Sequence, residues 1–73
     1  GEEGSRVTIE GPGDKVEEVE RMTSIVKYHR VDILSMFSFL KPATKDMMVV
    51  LRLKVSDPYP IIQDFKKAGF TVA

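Results

Sequence analysis

The chain has no cysteine, no tryptophan and no asparagine, and a single histidine, among its 73 residues. Without cysteine there is no disulfide framework, no Cys-based zinc site and no thiol nucleophile, and the composition fits a reducing, cytoplasmic setting. Neither sign of charge is in surplus, since 11 Lys and Arg offset 11 Asp and Glu. No global field therefore draws the chain to nucleic acid or to an anionic membrane, and neither is expected as a partner. Long apolar runs are missing as well: the longest, Met47–Leu51, falls far short of the roughly 20 residues of a membrane-spanning helix. The opening Gly1-Glu2-Glu3-Gly4-Ser5 is acidic where a signal peptide would be basic. It reads as a tag or linker remnant, residues 1–5, ahead of one domain over residues 6–73, cut from a longer chain. A chain this short leaves no room for a separate catalytic domain. It buries only roughly 60% of the surface it exposes when unfolded, so a partner or neighbouring domain would add stability.

What is present is periodicity. Arg6-Val7-Thr8-Ile9-Glu10 alternates polar and apolar side chains, the period of a half-buried strand. Gly11-Pro12-Gly13 then turns the chain. Asp14 and Glu17 have the spacing of a capping box, which predicts a helix starting near Lys15. Val16, Val19, Met22, Ile25, Val26 and His29 follow at spacings of three and four and form its apolar face. Val31 to Leu40, rich in Ile, Leu, Met, Phe and Val without interior Gly or Pro, is expected as the second strand. Lys41 to Asp46 is a polar hairpin loop, and Met47 to Val55 is the third strand, with Met47, Val49, Leu51, Leu53 and Val55 on one face. Asp57-Pro58-Tyr59-Pro60 marks a second helix start, since Asp can cap and proline suits the first turn. Ile61, Ile62, Phe65 and Ala68 are its apolar face, Gly69 its left-handed C-terminal cap, and Phe70-Thr71-Val72 a short last strand.

The order is that of a split βαβ, an α+β, ferredoxin-like βαββαβ sandwich. Right-handed crossovers give an antiparallel sheet in the order 4-1-3-2 with both helices on one face. The expected core comprises Val7, Ile9, Val19, Met22, Val26, Ile33, Leu51, Leu53, Ile62 and Phe65. Both faces of strands two and three carry apolar residues, whereas helices cover only one, so a partner is expected on the other. Leu34, Met36, Met48 and Val50 are read as that homodimer interface.

Chemistry-bearing motifs are few, and no catalytic residue, metal site or cofactor is expected. His29 has no Ser, Cys or second His at a recognisable spacing, and a histidine suits a helix C-terminus. Asp14 and Glu17 lie one turn apart, but capping accounts for both. Lys66 and Lys67 complement the second helix's macrodipole as a solvated face. No RNP1-like aromatic pattern, no Cys-x-x-Cys loop and no Asn for an acylphosphatase-like site is present.

Four segments, taken in order and spacing, carry a resemblance over nearly the whole chain: Val7-Thr8-Ile9-Glu10, Val31-Asp32-Ile33-Leu34-Ser35, Met48-Val49-Val50-Leu51-Arg52, and Ile61-Ile62 with Phe65 to Val72. Together they resemble the ACT domain family. Val55 to Ile62, with Leu34 to Phe39 before it, resembles the ACT domains behind paired CBS domains in acetoin-utilisation-type bacterial proteins. The resemblance implies a non-enzymatic regulatory module that dimerises and binds an amino acid or small metabolite near the first strand-to-helix turn, within a parent chain carrying a CBS pair. The alternative is a pure dimerisation module without the ligand site. The matching turn residues are Asp14, Lys15, Val16 and Glu17, with Asp32 and Ile33 on strand two. Where the family carries Gly, this chain has Glu17, whose carboxylate would compete with an anionic ligand for the helix amides. Asp14 and Asp32 together could instead hold an ammonium or a metal. A second register, with Pro12-Gly13 on the family's Pro-Gly, lengthens the helix by one turn and stays open.

Overall fold

The computed structural model describes residues 4–11 and 16–73. The elements run β1 (Ser5–Gly11), α1 (Val16–Tyr28), β2 (Ile33–Leu40), β3 (Met47–Leu53), α2 (Tyr59–Lys67) and β4 (Thr71–Val72). The four strands form one antiparallel sheet ordered β2-β3-β1-β4. Read from the other edge, this is β4-β1-β3-β2. The protein is thus a small α+β domain.

Alternation in β1 buries Val7, Ile9 and Gly11 and leaves Arg6, Thr8 and Glu10 on the other face. β3 contributes Met47, Val49, Leu51 and Leu53 to the same side as Val7 and Ile9. Met22 and Val26 of α1, Ile61 and Phe65 of α2, and Phe70 close that core, so both helices lie on one face of the sheet. Three expected core residues are corrected. Val19 and Ile62 only border the core, because the buried stripe of α1 runs through Met22 and Val26 and that of α2 through Ile61 and Phe65, each pair four apart. Ile33 is 37% exposed, because β2 lies at the sheet edge and contributes no residue to the core. Val16, placed on the apolar face by its spacing, is 73% exposed at the first residue of α1.

The helix ends follow local chemistry. At α2 the cap position is Pro58, which has no side-chain cap, and Asp57 substitutes from one residue earlier: its Oδ1 accepts the Tyr59 amide at 3.1 Å. At the far end Gly69 adopts φ 97°, the Phe70 amide donates to the Phe65 carbonyl, and the Gly69 amide donates to the Lys66 carbonyl. This is a Schellman motif, and the Phe65 and Phe70 rings, 5.9 Å apart edge to face, supply its hydrophobic contact. α1 ends the same way without a glycine. Arg30 takes φ 57°, its amide donates to the Lys27 carbonyl, and the Val31 amide reaches the Val26 carbonyl at 3.5 Å. The expected Asp14 cap at the other end of α1 lies outside the described residues.

Arg21 joins the layers at the α2–β4 corner. Its guanidinium donates to the Ala68 carbonyl and to Glu18, and sits 4.8 Å from the centre of the Phe70 ring. The hairpin loop closes through the Lys41 amide and the Asp46 carbonyl, with Lys45 at φ 65°. No helix among the described residues is long and apolar enough to cross a membrane.

Candidate functional site

Strand β2 is exposed along its whole length, Ile33 to Leu40, on both faces. Its apolar character comes from Ile33, Leu34, Met36, Phe37, Phe39 and Leu40, and it carries no charge. Such an edge presents unpaired amides and carbonyls together with hydrophobic side chains, the combination through which sheets recruit another chain.

Register decides which side chain faces which way, because directly opposed residues of an antiparallel pair share a face. Met36 is opposite Leu51, Ser38 opposite Val49 and Leu40 opposite Met47, so these residues project on the helix-bearing side. Phe37 is opposite Val50 and Phe39 opposite Met48, on the open side. The expected interface Leu34, Met36, Met48 and Val50 is therefore corrected at Met36, which lies on the opposite face from Met48 and Val50. The cause is a register shift between Ile33 and Ser35, where Leu34 is the extra residue of a bulge. Alternation counted through Leu34 from Ile33 puts every later residue on the wrong side. Met48 is already buried within the domain, and Val50 half-buried. The side chains left to a partner on the open face are chiefly Phe37, 58% exposed, and Phe39, 49% exposed, whose rings stack 6.4 Å apart.

Extended across β3 to β1, the open face is a grid of three rows. Phe37, Val50 and Thr8 form the middle one. Ser35, Arg52 and Arg6 form the row at one end, and Phe39, Met48 and Glu10 the row at the other. Glu10 receives Lys41 Nζ at 3.3 Å.

The residues matched to a ligand turn are less concentrated. Asp14 and Lys15 lie outside the described residues, and Val16 and Glu17 open α1 as exposed side chains. Asp32 and Ile33 follow the opposite end of α1, about 17 Å away at 1.5 Å per residue over the helix. Among the described residues, Val16 and Glu17 do not converge with Asp32 and Ile33 within one chain. Asp32 and Ile33 instead line a hollow of about 620 Å³ with Thr23, Val26, Lys27, Arg30 and Val31. Among the described residues no three or more His, Asp or Glu side chains gather as a metal site would require. His29 lies just past α1 with Nε2 2.7 Å from Asp64 Oδ2, tying the two helices together.

No family model, no curated protein and no solved structure matches this chain.

Proposed function

We propose that this domain is a non-catalytic regulatory module that associates with a second copy of itself through β2 and β3, and that its fold is the ferredoxin-like sandwich of an ACT-like domain. The observation that carries the association is the uncovered β2, eight residues of exposed and largely apolar strand in a small domain whose core already excludes it. A second copy is the occupant with the fewest requirements. The strand has no charge between Ile33 and Leu40, so two copies bring no like charges together there.

The regulatory half of the reading rests on the sequence resemblance, and the hollow at Asp32 and Ile33 is large enough for an amino acid or small metabolite. Sedimentation velocity over a wide concentration range tests the association, repeated with a panel of amino acids to test coupling to a ligand. We expect concentration-dependent dimerisation that Phe37→Lys abolishes while leaving the monomer folded, because the ammonium stays in water in the monomer and is buried unpaired in the dimer. A monomeric wild type indistinguishable from Phe37→Lys at every concentration would refute the proposal.

A further inference from the structure

The charges on the open sheet face specify how a second copy would sit on it. On β1, Arg6, Thr8 and Glu10 project from this face in succession, placing a cation and an anion about 13 Å apart on one central strand with Thr8 between them. Arg6 is directly opposite Arg52 on β3, a like-charge pair that is unfavourable across a sheet. Among the described residues neither arginine has a carboxylate within ion-pair distance. The apolar part of the face is Phe37 and Val50 in the middle row and Phe39 and Met48 beside Glu10 in the end row.

From this grid we infer that two copies pack open face to open face, related by a two-fold axis that lies between the sheets, perpendicular to the strands and through the Phe37–Val50–Thr8 row. The inference rests on the self-association reading and goes beyond it by naming the surface and the register. This axis reverses strand direction while keeping β1 over β1. Arg6 of each copy then faces Glu10 of the other, twice per dimer, and the Arg6–Arg52 pair gains a carboxylate. A two-fold parallel to the strands would stack the arginine rows of both copies on each other, so the charges discriminate between the two arrangements. Face-packed sheets lie about 10 Å apart, within the combined reach of Arg and Glu side chains. The Phe37 and Phe39 rings of both copies fill the gap between them.

Three strands about 4.8 Å apart and about 17 Å long lay out roughly 250 Å² of sheet per copy. A standard interface uses about 800 Å² per partner, so this contact is weak and requires measurement into the millimolar range. Charge reversal provides the test, by sedimentation equilibrium on Arg6→Glu, Glu10→Arg and the double variant, with circular dichroism to confirm that each is folded. We expect each single reversal to weaken association about tenfold or more, and the double reversal to associate more tightly than either single variant but short of wild type, because Glu10→Arg also sets a second cation beside Lys41. Single variants that associate like wild type would overturn the register while leaving self-association standing, whereas a wild type that never associates removes both. Because the chain has no native cysteine, short bismaleimide cross-linking of Thr8→Cys or Ser38→Cys gives an independent readout. Efficient cross-linking at Thr8→Cys supports the face-to-face pair. Cross-linking at Ser38→Cys alone would place the copies edge to edge and overturn it.

Discussion

Gly69→Ala and Arg30→Gly are mirror-image perturbations of the same structural motif, and their effects should have opposite signs. Both residues occupy the left-handed position after a helix, Gly69 at φ 97° and Arg30 at φ 57°, with the same pair of closing backbone hydrogen bonds. A Cβ added at Gly69 meets nothing within 4 Å, so no clash contributes and the cost of alanine is conformational. Left-handed geometry costs an L-residue roughly 1–2 kcal/mol. Alanine recovers about 0.4–1 kcal/mol of this by restricting the unfolded chain. The net expectation for Gly69→Ala is a loss of about 1 kcal/mol. At Arg30 the same terms run in reverse: glycine removes the left-handed strain and adds unfolded-state entropy, for a net gain of about 0.5–1 kcal/mol. The Arg30 side chain is exposed and forms no ion pair among the described residues, so little else is lost with it. For a domain of this size about 1 kcal/mol moves the thermal midpoint by roughly 4–8 °C. Thermal denaturation followed by far-ultraviolet circular dichroism, at one fixed protein concentration so that association does not shift the midpoint, measures both. A lower midpoint for Arg30→Gly, or a higher one for Gly69→Ala, would refute the assignment of these residues as left-handed caps.

Phe65 is 0% exposed and contacts Phe70 edge to face; Phe65→Ala should cost about 3–5 kcal/mol, enough to abolish a cooperative thermal transition in a marginal domain. A sharp transition within a few degrees of wild type would contradict the core described above. Arg21→Ala removes the Ala68 and Glu18 hydrogen bonds and the contact with the Phe70 ring, and because the side chain is half exposed a loss of about 1 kcal/mol in urea denaturation is expected. An unchanged urea midpoint would show that Arg21 does not hold the α2–β4 corner. The His29–Asp64 contact is partly exposed, so a double-mutant cycle with His29→Gln and Asp64→Asn should yield a coupling of about 0.2–1 kcal/mol; a larger coupling would mean that the pair is better shielded from water than its exposure implies.

Much of this architecture was legible in the chain alone. The alternation of Arg6 to Glu10 and of Met47 to Leu53, the helical spacing of Met22 and Val26, and the glycine at position 69 each express a local rule, period 2, period 3.6 or tolerance of positive φ, that needs no knowledge of distant residues. Among the described residues, the observed elements lie within two residues of the expected ends. Other features depended on tertiary structure. Nothing about Arg30 announces a left-handed residue; it takes that conformation because α1 must stop and turn the chain toward β2. Ile61 rather than Ile62 is buried because the orientation of α2 over the sheet selects one of two adjacent isoleucines. The faces of β2 are the clearest case. With apolar side chains at both parities, Ile33-Leu34-Ser35-Met36-Phe37 has no unique alternation to read. Only hydrogen bonding to β3, with Leu34 bulged out of the ladder, decided that Phe37 and Phe39 stand beside Val50 and Met48 while Met36 turns to the other side. One extra residue in a strand shifts every later side chain to the opposite face, and pairing with another strand is what locates that residue.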